Sequence, residues 1–482
     1  MAFPLLAQAS SAGPAPLALL PEIFLLAGAV VALITGSFLP RQRQWVSRLI
    51  AIAALAASAA AAAFAITEPD RTIYEGAYTV DAGTSAARLI VAVAAALVIA
   101  LGTDELRGTE RESETYALIL LASLGTVVLA GTSDLLVLAV AFLLASIPLY
   151  ALIGINRSRS SAEAALKTYL LGALLGIGLL LGVTVLYGLA GTTTYSRLGQ
   201  NLGTAPGAAV AVGLTGVLAG LMFKAGAVPG HFWVPDAAQG SGLTGAAFAT
   251  TVPKIGGFLA AYRLLAALPG TVNWPLLVAV LAALTMTLGN LAAYNQDDPR
   301  RLLGWSTVSQ AGYLLMPVAV TGQASLALPA LMVYLAGYSV SNLAAFAVAG
   351  AYPGRRTLNA FQGLAGARPW HAAALTVALL SLVGTPPTAV FLGKLTVFTA
   401  AWEGGFWWLT VLAAVNTIIS LFYYLRWLAP AFRAARPSTP GAGDFPAQRW
   451  AAGTAVAAAL LLLIFGVTAG LGWAVIAGPP HG

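Results

Sequence analysis

The sequence contains no cysteine and only three histidines. Without thiols it forms no disulfide, no cysteine-ligated zinc site and no all-cysteine iron–sulfur centre, and three imidazoles leave few ligands for haem or copper. Electron chemistry around this chain therefore takes place outside it. Charge is scarce too: Asp, Glu, Lys and Arg make up 9% of the 482 residues, against about 25% in a soluble domain. With 59% hydrophobic residues, such a chain cannot solvate its own surface in water and is an integral membrane protein. No phosphate loop, dinucleotide fingerprint, nucleophile triad or nucleic-acid module is present. The net charge of +7 does not indicate nucleic acid, because in a membrane protein the place of each charge matters more than the sum.

What is abundant is apolar sequence. A mean hydropathy of +0.85 with 51 Gly and 26 Pro fits many apolar helices with kinks, since neighbouring helices can satisfy the backbone that a break frees. Runs long enough to span, at about 20 residues each, occur near 17–39, 46–66, 85–102, 116–132, 134–155, 165–190, 206–228, 245–267, 273–294, 302–321, 325–351, 370–400, 405–430 and 450–477. These fourteen predict an all-α polytopic membrane protein. The first begins at Leu17 with no basic residue before it, which argues against a cleaved signal peptide although Ala7-Gln8-Ala9 weakly resembles a cleavage site.

Arginine sets the orientation. With the amino terminus outside, sixteen of the twenty arginines, among them Arg157, Arg300, Arg301, Arg355, Arg356 and Arg436, fall in inner connections, and only Arg71, Arg88, Arg197 and Arg263 fall outside. This positive-inside bias predicts that both termini lie outside the cytoplasm. Asp104–Glu114 reads as a solvated loop, and Glu22 either binds a partner helix or sits at the interface. Trp45, Trp274, Trp407, Trp408 and Trp450 lie at span ends, as an aromatic belt requires.

The remaining basic residues are four lysines, Lys167, Lys224, Lys254 and Lys394, each inside or at the mouth of a predicted span. A charge at a helix centre costs about 2.5–3.5 kcal/mol on the insertion scale. A buried lysine can release its proton, whereas arginine keeps its charge, so the interior holds the switchable cation. The bland alternative is that each lysine snorkels or closes a structural network; Lys167, just after the Asn156–Ser161 loop, fits the interface best.

Two lysines lie beside helix breaks, Lys224 before Pro229 and Lys394 after Pro386 and Pro387. Proline removes an amide donor and frees carbonyls at membrane depth, where they can hold water or cations. Broken helices at corresponding positions of two halves point to a path built from inverted repeats. Spans four to eight and nine to thirteen form the candidate halves, five being odd. The domain reading is 1–115 for a three-helix region, 116–267 and 268–430 for the repeats, and 431–482 for a loop and last helix. Small-residue faces such as Gly172-Ala173-Leu174-Leu175-Gly176 are expected to pack laterally against other membrane subunits.

Ala162–Ala173, Phe223–Asp236 with its His231-Phe232-Trp233-Val234-Pro235-Asp236 end, Arg300–Ser306, Ser309–Tyr313 and Pro386–Lys394 resemble the antiporter-like subunits of respiratory complex I. Tyr338–Val348 and Asn416–Arg426 are most similar to the subunit N branch of that family. The resemblance runs from about Asp134 to Trp427, and it implies a proton-translocating subunit of the membrane arm of NADH-quinone oxidoreductase, in a bacterial plasma membrane. It implies fourteen helices with broken seventh and twelfth, and no redox centre here, with NADH, FMN, iron–sulfur clusters and quinone in other subunits. It names M-like and K-like neighbours, besides lipid, as partners. By the family pattern Lys224 is the lysine of the broken seventh helix, Lys254 the relay of the eighth, Lys394 the lysine of the broken twelfth and Lys167 that of the sixth. His231 matches a histidine beside the seventh-helix break; the alternative is a structural histidine hydrogen-bonded at a loop.

One departure stands out. The family's fifth-helix glutamate, partner of the seventh-helix lysine, aligns with Leu143 here. Asp134 is nine residues earlier, about 13 Å along a helix, and Glu163 begins the next span. Lys224 then finds a carboxylate from a neighbouring subunit, uses water and the carbonyls freed near Pro229, or stays largely neutral; water and carbonyls are the favoured expectation, because the break is local and no acid of this chain lies at the right depth. A sodium/proton antiporter subunit and a structural membrane-arm subunit with reduced pumping are the competing readings.

Overall fold

The computed structural model describes residues 15–270, 272–434 and 447–476. The Ala7-Gln8-Ala9 segment and Arg436 lie outside the described residues. In lipid every backbone polar group must find a partner within the protein, so long apolar stretches become helices. The first six spans are α1 (Leu20–Phe38), α2 (Trp45–Ala65), α3 (Ala82–Leu106), α4 (Glu112–Gly131), α5 (Leu135–Gly154) and α6 (Arg159–Ala190). A short helix α7 (Tyr195–Leu202) leads to α8 (Gly207–Ala225), which is followed by the eight-residue α9 (Trp233–Gly240). Next come α10 (Leu243–Ala266), α11 (Trp274–Tyr294), α12 (Pro299–Ala319), α13 (Ala327–Ala351) and the single turn α14 (Leu364–Ala367). Two shorter helices follow, α15 (Pro369–Val383) and α16 (Ala389–Glu403), and α17 (Trp407–Phe432) and α18 (Arg449–Ile476) are the last helices among the described residues.

Eleven helices among the described residues are long and apolar enough to cross a membrane. Helices α10 and α12 match them in length but carry Thr250, Thr251, Lys254, Arg300, Arg301, Ser306 and Gln310, and they sit with α13 in the middle of the bundle, buried along most of their length. Helices α15 and α16 have 15 residues each, about 22 Å of rise, too short to cross alone.

Outside the helices, β1 (Arg71–Ile73) and β2 (Tyr78–Val80) form an antiparallel hairpin with Ile73 opposite Tyr78. Period-3.6 apolar runs do not foresee it, because it is a cap on one end of the bundle rather than a span. Beneath it the Glu22 carboxylate accepts bonds from Arg88 (2.8 and 2.9 Å) and from the Tyr78 hydroxyl (2.7 Å). Glu22 is thus paired inside its own chain. Nearby, Arg263 reaches Asp81 at 2.6 Å. Helix starts are capped as their sequences suggest: Asp134 accepts from the amides of Leu136 and Val137, and Asp298 from those of Arg300 and Arg301.

Small residues bring helices into backbone contact. A Cβ on Gly216 of α8 would lie 2.6 Å from the Gly178 carbonyl of α6, and one on Gly312 of α12 would lie 2.5 Å from the Met286 amide of α11. The Gly172–Gly176 face is also filled from within: a Cβ on Gly172 would collide with Tyr150 and Phe223, and one on Gly176 would touch Phe142. That corrects the expectation of lateral packing there. The outer face of α6 is instead the exposed stripe Leu170, Leu174, Ile177 and Leu181, at helical spacing.

Candidate functional site

Helix α8 ends one residue after Lys224, and Gly226 takes the left-handed conformation (φ 67°) that a terminating residue without a Cβ adopts readily. The chain runs without helix to Trp233. Lys224 is 1% exposed, its Nζ donates to Ser146 Oγ of α5 at 2.5 Å, and it lies 4.9 Å from the centre of the Phe142 ring. No carboxylate pairs with it among the described residues. Leu143 belongs to an outer stripe of α5 with Leu136, Val140 and Ile147, all exposed. A helix turn of 100° per residue separates that stripe from Ser146, so the hydroxyl is what α5 presents to Lys224.

The carbonyls at the break go elsewhere. Ala225 is the last residue of α8, and its carbonyl, without an intrahelical donor, accepts from Lys254 Nζ of α10 at 2.6 Å. The Phe223 carbonyl accepts from Trp233 Nε1 at 3.2 Å. The expectation that Lys224 takes the freed carbonyls is therefore corrected: it points back to α5, and the fully buried Lys254 takes the helix end.

The second break repeats this arrangement. Helix α15 ends at Val383, Gly384 is left-handed (φ 90°), and Lys394 Nζ of α16 donates to the Val383 carbonyl at 2.8 Å and to Thr417 Oγ1 at 3.1 Å. The ammonium lies 4.2 Å from the centre of the Tyr313 ring. At each break an ammonium thus occupies the negative end of a helix dipole. Each glycine also leaves the lysine its room: a Cβ on Gly226 would be 2.7 Å from Lys254 Nζ, and one on Gly384 would be 2.8 Å from Lys394 Cδ.

Between the lysines runs a buried polar seam that charge alone does not reveal. Tyr338 donates to the Thr250 carbonyl (2.7 Å) and its hydroxyl oxygen lies 3.1 Å from the Thr307 hydroxyl, which can donate to it, and Asn342 donates to Thr250 and Thr251. The Tyr334 hydroxyl bonds Gln310 at 2.5 Å, and Gln310 donates to the Leu382 carbonyl at 2.9 Å. Thr417 joins Tyr313 to Lys394. Such hydroxyls both donate and accept. Their signal in the sequence is only that polar residues recur within apolar spans.

His231 and Lys167 differ from the other three. His231 is 1% exposed, packs against Phe232 and Trp305, and has no hydrogen-bond partner on either ring nitrogen among the described residues, unlike a loop histidine fixed by hydrogen bonds. Lys167 is half exposed and paired with Glu163 (2.7 Å) and Asp236 (3.0 Å), and Asp236 also accepts from Arg301. Pro229 lies between α8 and α9, and Pro386 and Pro387 lie between α15 and α16.

Residues 132–420 match the family described as NADH:quinone oxidoreductase/Mrp antiporter, transmembrane. NADH-quinone oxidoreductase subunit N of Mycobacterium sp. (strain JLS) is 56% identical over 96% of this chain and 98% of its own. A chain in the structure of respiratory complex I from Thermus thermophilus with bound aureothin is 33% identical, with a TM-score of 0.77, covering 94% of this chain and 98% of that one. A chain of the Mrp complex from Dietzia sp. DQ12-45-1b shares the fold at 23% identity, with a TM-score of 0.79 over 94% of each chain.

Proposed function

This chain belongs to the NADH:quinone oxidoreductase/Mrp antiporter family, in its subunit N branch, and we propose that it moves protons along Lys224, Lys254 and Lys394 through the hydroxyl-lined seam between them. It is a multi-pass bacterial membrane protein and a subunit of a larger redox enzyme complex, in which it has the proton-translocating, antiporter-like role of its family. In the proposed path the three lysines are the groups that hold and release the proton. Ser146, the Ala225 carbonyl and the Val383 carbonyl hold each ammonium in place, while Tyr338, Gln310, Tyr334 and Thr417 bridge the span between Lys254 and Lys394.

The single observation that carries this reading is the repeated lysine-to-helix-end contact, Lys254 to Ala225 and Lys394 to Val383. A helix end attracts the ammonium and bonds the neutral amine only weakly, so each carbonyl holds its lysine most firmly while the proton is on it, without a fixed counter-ion. In the same proposal residues 116–267 and 268–430 act as two inverted halves of a fourteen-span chain, with 1–115 and 431–482 flanking them. Both termini lie outside the cytoplasm, the M-like and K-like subunits are the neighbours, and redox cofactors are held by other subunits. His231 stands beside the first break as a further proton-exchanging group, and Lys167 with Asp236 and Arg301 lies at the arginine-rich end.

The reading with reduced pumping draws on one observation, that Lys224 faces Ser146 rather than a carboxylate. Purified assembly in proteoliposomes separates the readings. NADH-driven quinone reduction accompanied by proton movement independent of sodium supports the pumping subunit, sodium-dependent exchange without NADH supports an antiporter, and a proton yield that stays unchanged when Lys254 and Lys394 are replaced supports the structural subunit.

A further inference from the structure

Two helices besides its own and the end of α15 reach Lys394. Helix α12 brings the Tyr313 ring, whose centre lies 4.2 Å from the ammonium, and α17 brings the Thr417 hydroxyl to 3.1 Å. That hydroxyl has one proton to give and oxygen lone pairs to accept with. It lies 3.2 Å from the Tyr313 hydroxyl and 3.0 Å from the Ala413 carbonyl of its own helix, so while it accepts from Lys394 it can donate onward to Tyr313. The side chain of threonine is short, and the hydroxyl therefore follows the rotation of α17 against α12.

The preceding residue fixes that rotation. Asn416 is buried and is bonded to α11, where Asn290 is also buried. The Asn290 amide nitrogen donates to the backbone carbonyl and to the side-chain oxygen of Asn416, at 2.9 Å each. Its own oxygen accepts from Ser309 of α12 (2.8 Å) and from Tyr423 of α17 (3.1 Å), and Asn416 donates to Thr287 of α11 at 3.2 Å. One carboxamide, which both donates and accepts, thus ties together the two helices that carry Tyr313 and Thr417. Ser309 and Tyr313 stand four residues apart on α12, on one face of that helix. A Cβ on Gly289, beside Asn290, would collide with the backbone of Ser309, so α11 and α12 have no slack at this level. Lys394 itself bonds Val383 and Thr417 and neither asparagine.

We propose that Asn290 is a positioning residue for proton transfer at Lys394: paired with Asn416, it sets the rotation of α17 that presents the Thr417 hydroxyl to the ammonium and to Tyr313 together. This rests on the reading that Lys394 carries the proton. Asn290 never holds the proton; it acts through Thr417. Interhelical bonds from asparagine are a common means of fixing helices against one another in lipid, where apolar packing alone gives little rotational preference. Here the fixed rotation also aligns a relay, because the Asn290 pair and the Thr417 contact occupy successive residues of one helix turn.

The test is the proton-to-electron ratio of purified assembly in proteoliposomes, with quinone reduction and melting temperature recorded for each variant. Lys394→Met comes first: an unchanged ratio overturns the role of Lys394 and this proposal with it. Where Lys394→Met lowers the ratio, Thr417→Val should lower it as well, and Thr417→Ser, which keeps the hydroxyl, should pump as wild type. Asn290→Ala should fall most of the way to the ratio of Thr417→Val while quinone reduction continues. The decisive comparison is the double variant. Asn290→Ala combined with Thr417→Val should pump no less than Thr417→Val alone, because a residue that acts through a hydroxyl has nothing to act on once the hydroxyl is gone. An asparagine that only braces the bundle would instead lower the melting temperature equally in both backgrounds without this dependence on Thr417. A wild-type ratio in Asn290→Ala, or losses that add in the double variant, overturns the positioning role and leaves Lys394 in the path. If Asn290→Ala prevents assembly, Asn416→Ser, a smaller change on the other side of the pair, is compared in the same two backgrounds and decides.

Discussion

Lys254 Nζ lies 2.6 Å from the carbonyl oxygen of Ala225, across 29 residues of chain. That contact joins the middle of α10 to the end of α8, and the Lys394–Val383 contact joins α16 to the end of α15. Both depend on a glycine that follows the accepting carbonyl and on a lysine that cannot be placed by its own helix alone.

The glycines therefore offer a direct perturbation. Gly226→Ala and Gly384→Ala each put a Cβ into the space of a lysine and force a left-handed alanine, at a cost of about 1–2 kcal/mol from the backbone alone. Each should lower the melting temperature of the assembly by a few degrees and reduce its proton-to-electron ratio. Gly188→Ala, where an added Cβ meets nothing within 4 Å, should change neither. Thermal denaturation alongside proton pumping checks all three, and Gly226→Ala with both readings intact contradicts the packing role.

For Lys224 the relevant position on α5 is Ser146. Ser146→Asp supplies a carboxylate to a buried ammonium that now has only a hydroxyl, and it should assemble and keep quinone reduction. Leu143→Glu puts its carboxylate on the exposed stripe with Val140 and Ile147, and should lower the yield of assembled complex because a lipid-facing charge is costly. Equal yields for the two variants count against this orientation of α5.

How far such detail is legible in a sequence depends on what each residue contrasts with. Lys224, Lys254 and Lys394 are conspicuous because a charge within an apolar run is costly, and Pro229, Pro386 and Pro387 because proline interrupts the backbone ladder. The atoms those lysines reach are not legible, since Ala225 and Val383 are ordinary residues whose carbonyls matter only because a helix stops there. Ser146, Gln310, Tyr334 and Thr417 are uncharged and blend into helices that are mostly apolar. Leu143 shows the opposite failure: alignment by neighbours identifies a position in the chain, yet which face of α5 it occupies depends on how the helix packs. Glu22 is ambiguous alone and resolved by Arg88, 66 residues later.

That pair gives a further prediction. Glu22 and Arg88 are both buried, and removing one partner of a buried pair costs about 3–5 kcal/mol because the other charge is stranded. Glu22→Gln should sharply reduce assembled complex, and Glu22→Gln combined with Arg88→Met should recover part of the loss. Quantified yield after solubilisation checks it, and a double variant worse than the sum of the singles contradicts the pairing.

The central claim is that Lys254 passes protons rather than merely fastening α10 to α8. The most direct measurement is the proton-to-electron stoichiometry of assembled complex in proteoliposomes, compared among wild type, Lys254→Met and Lys254→Arg. Methionine fills a similar volume without a titratable group, and arginine keeps a cation that cannot release its proton. Both variants should assemble and both should pump fewer protons per electron than wild type. An assembled Lys254→Met or Lys254→Arg complex with unchanged stoichiometry contradicts it.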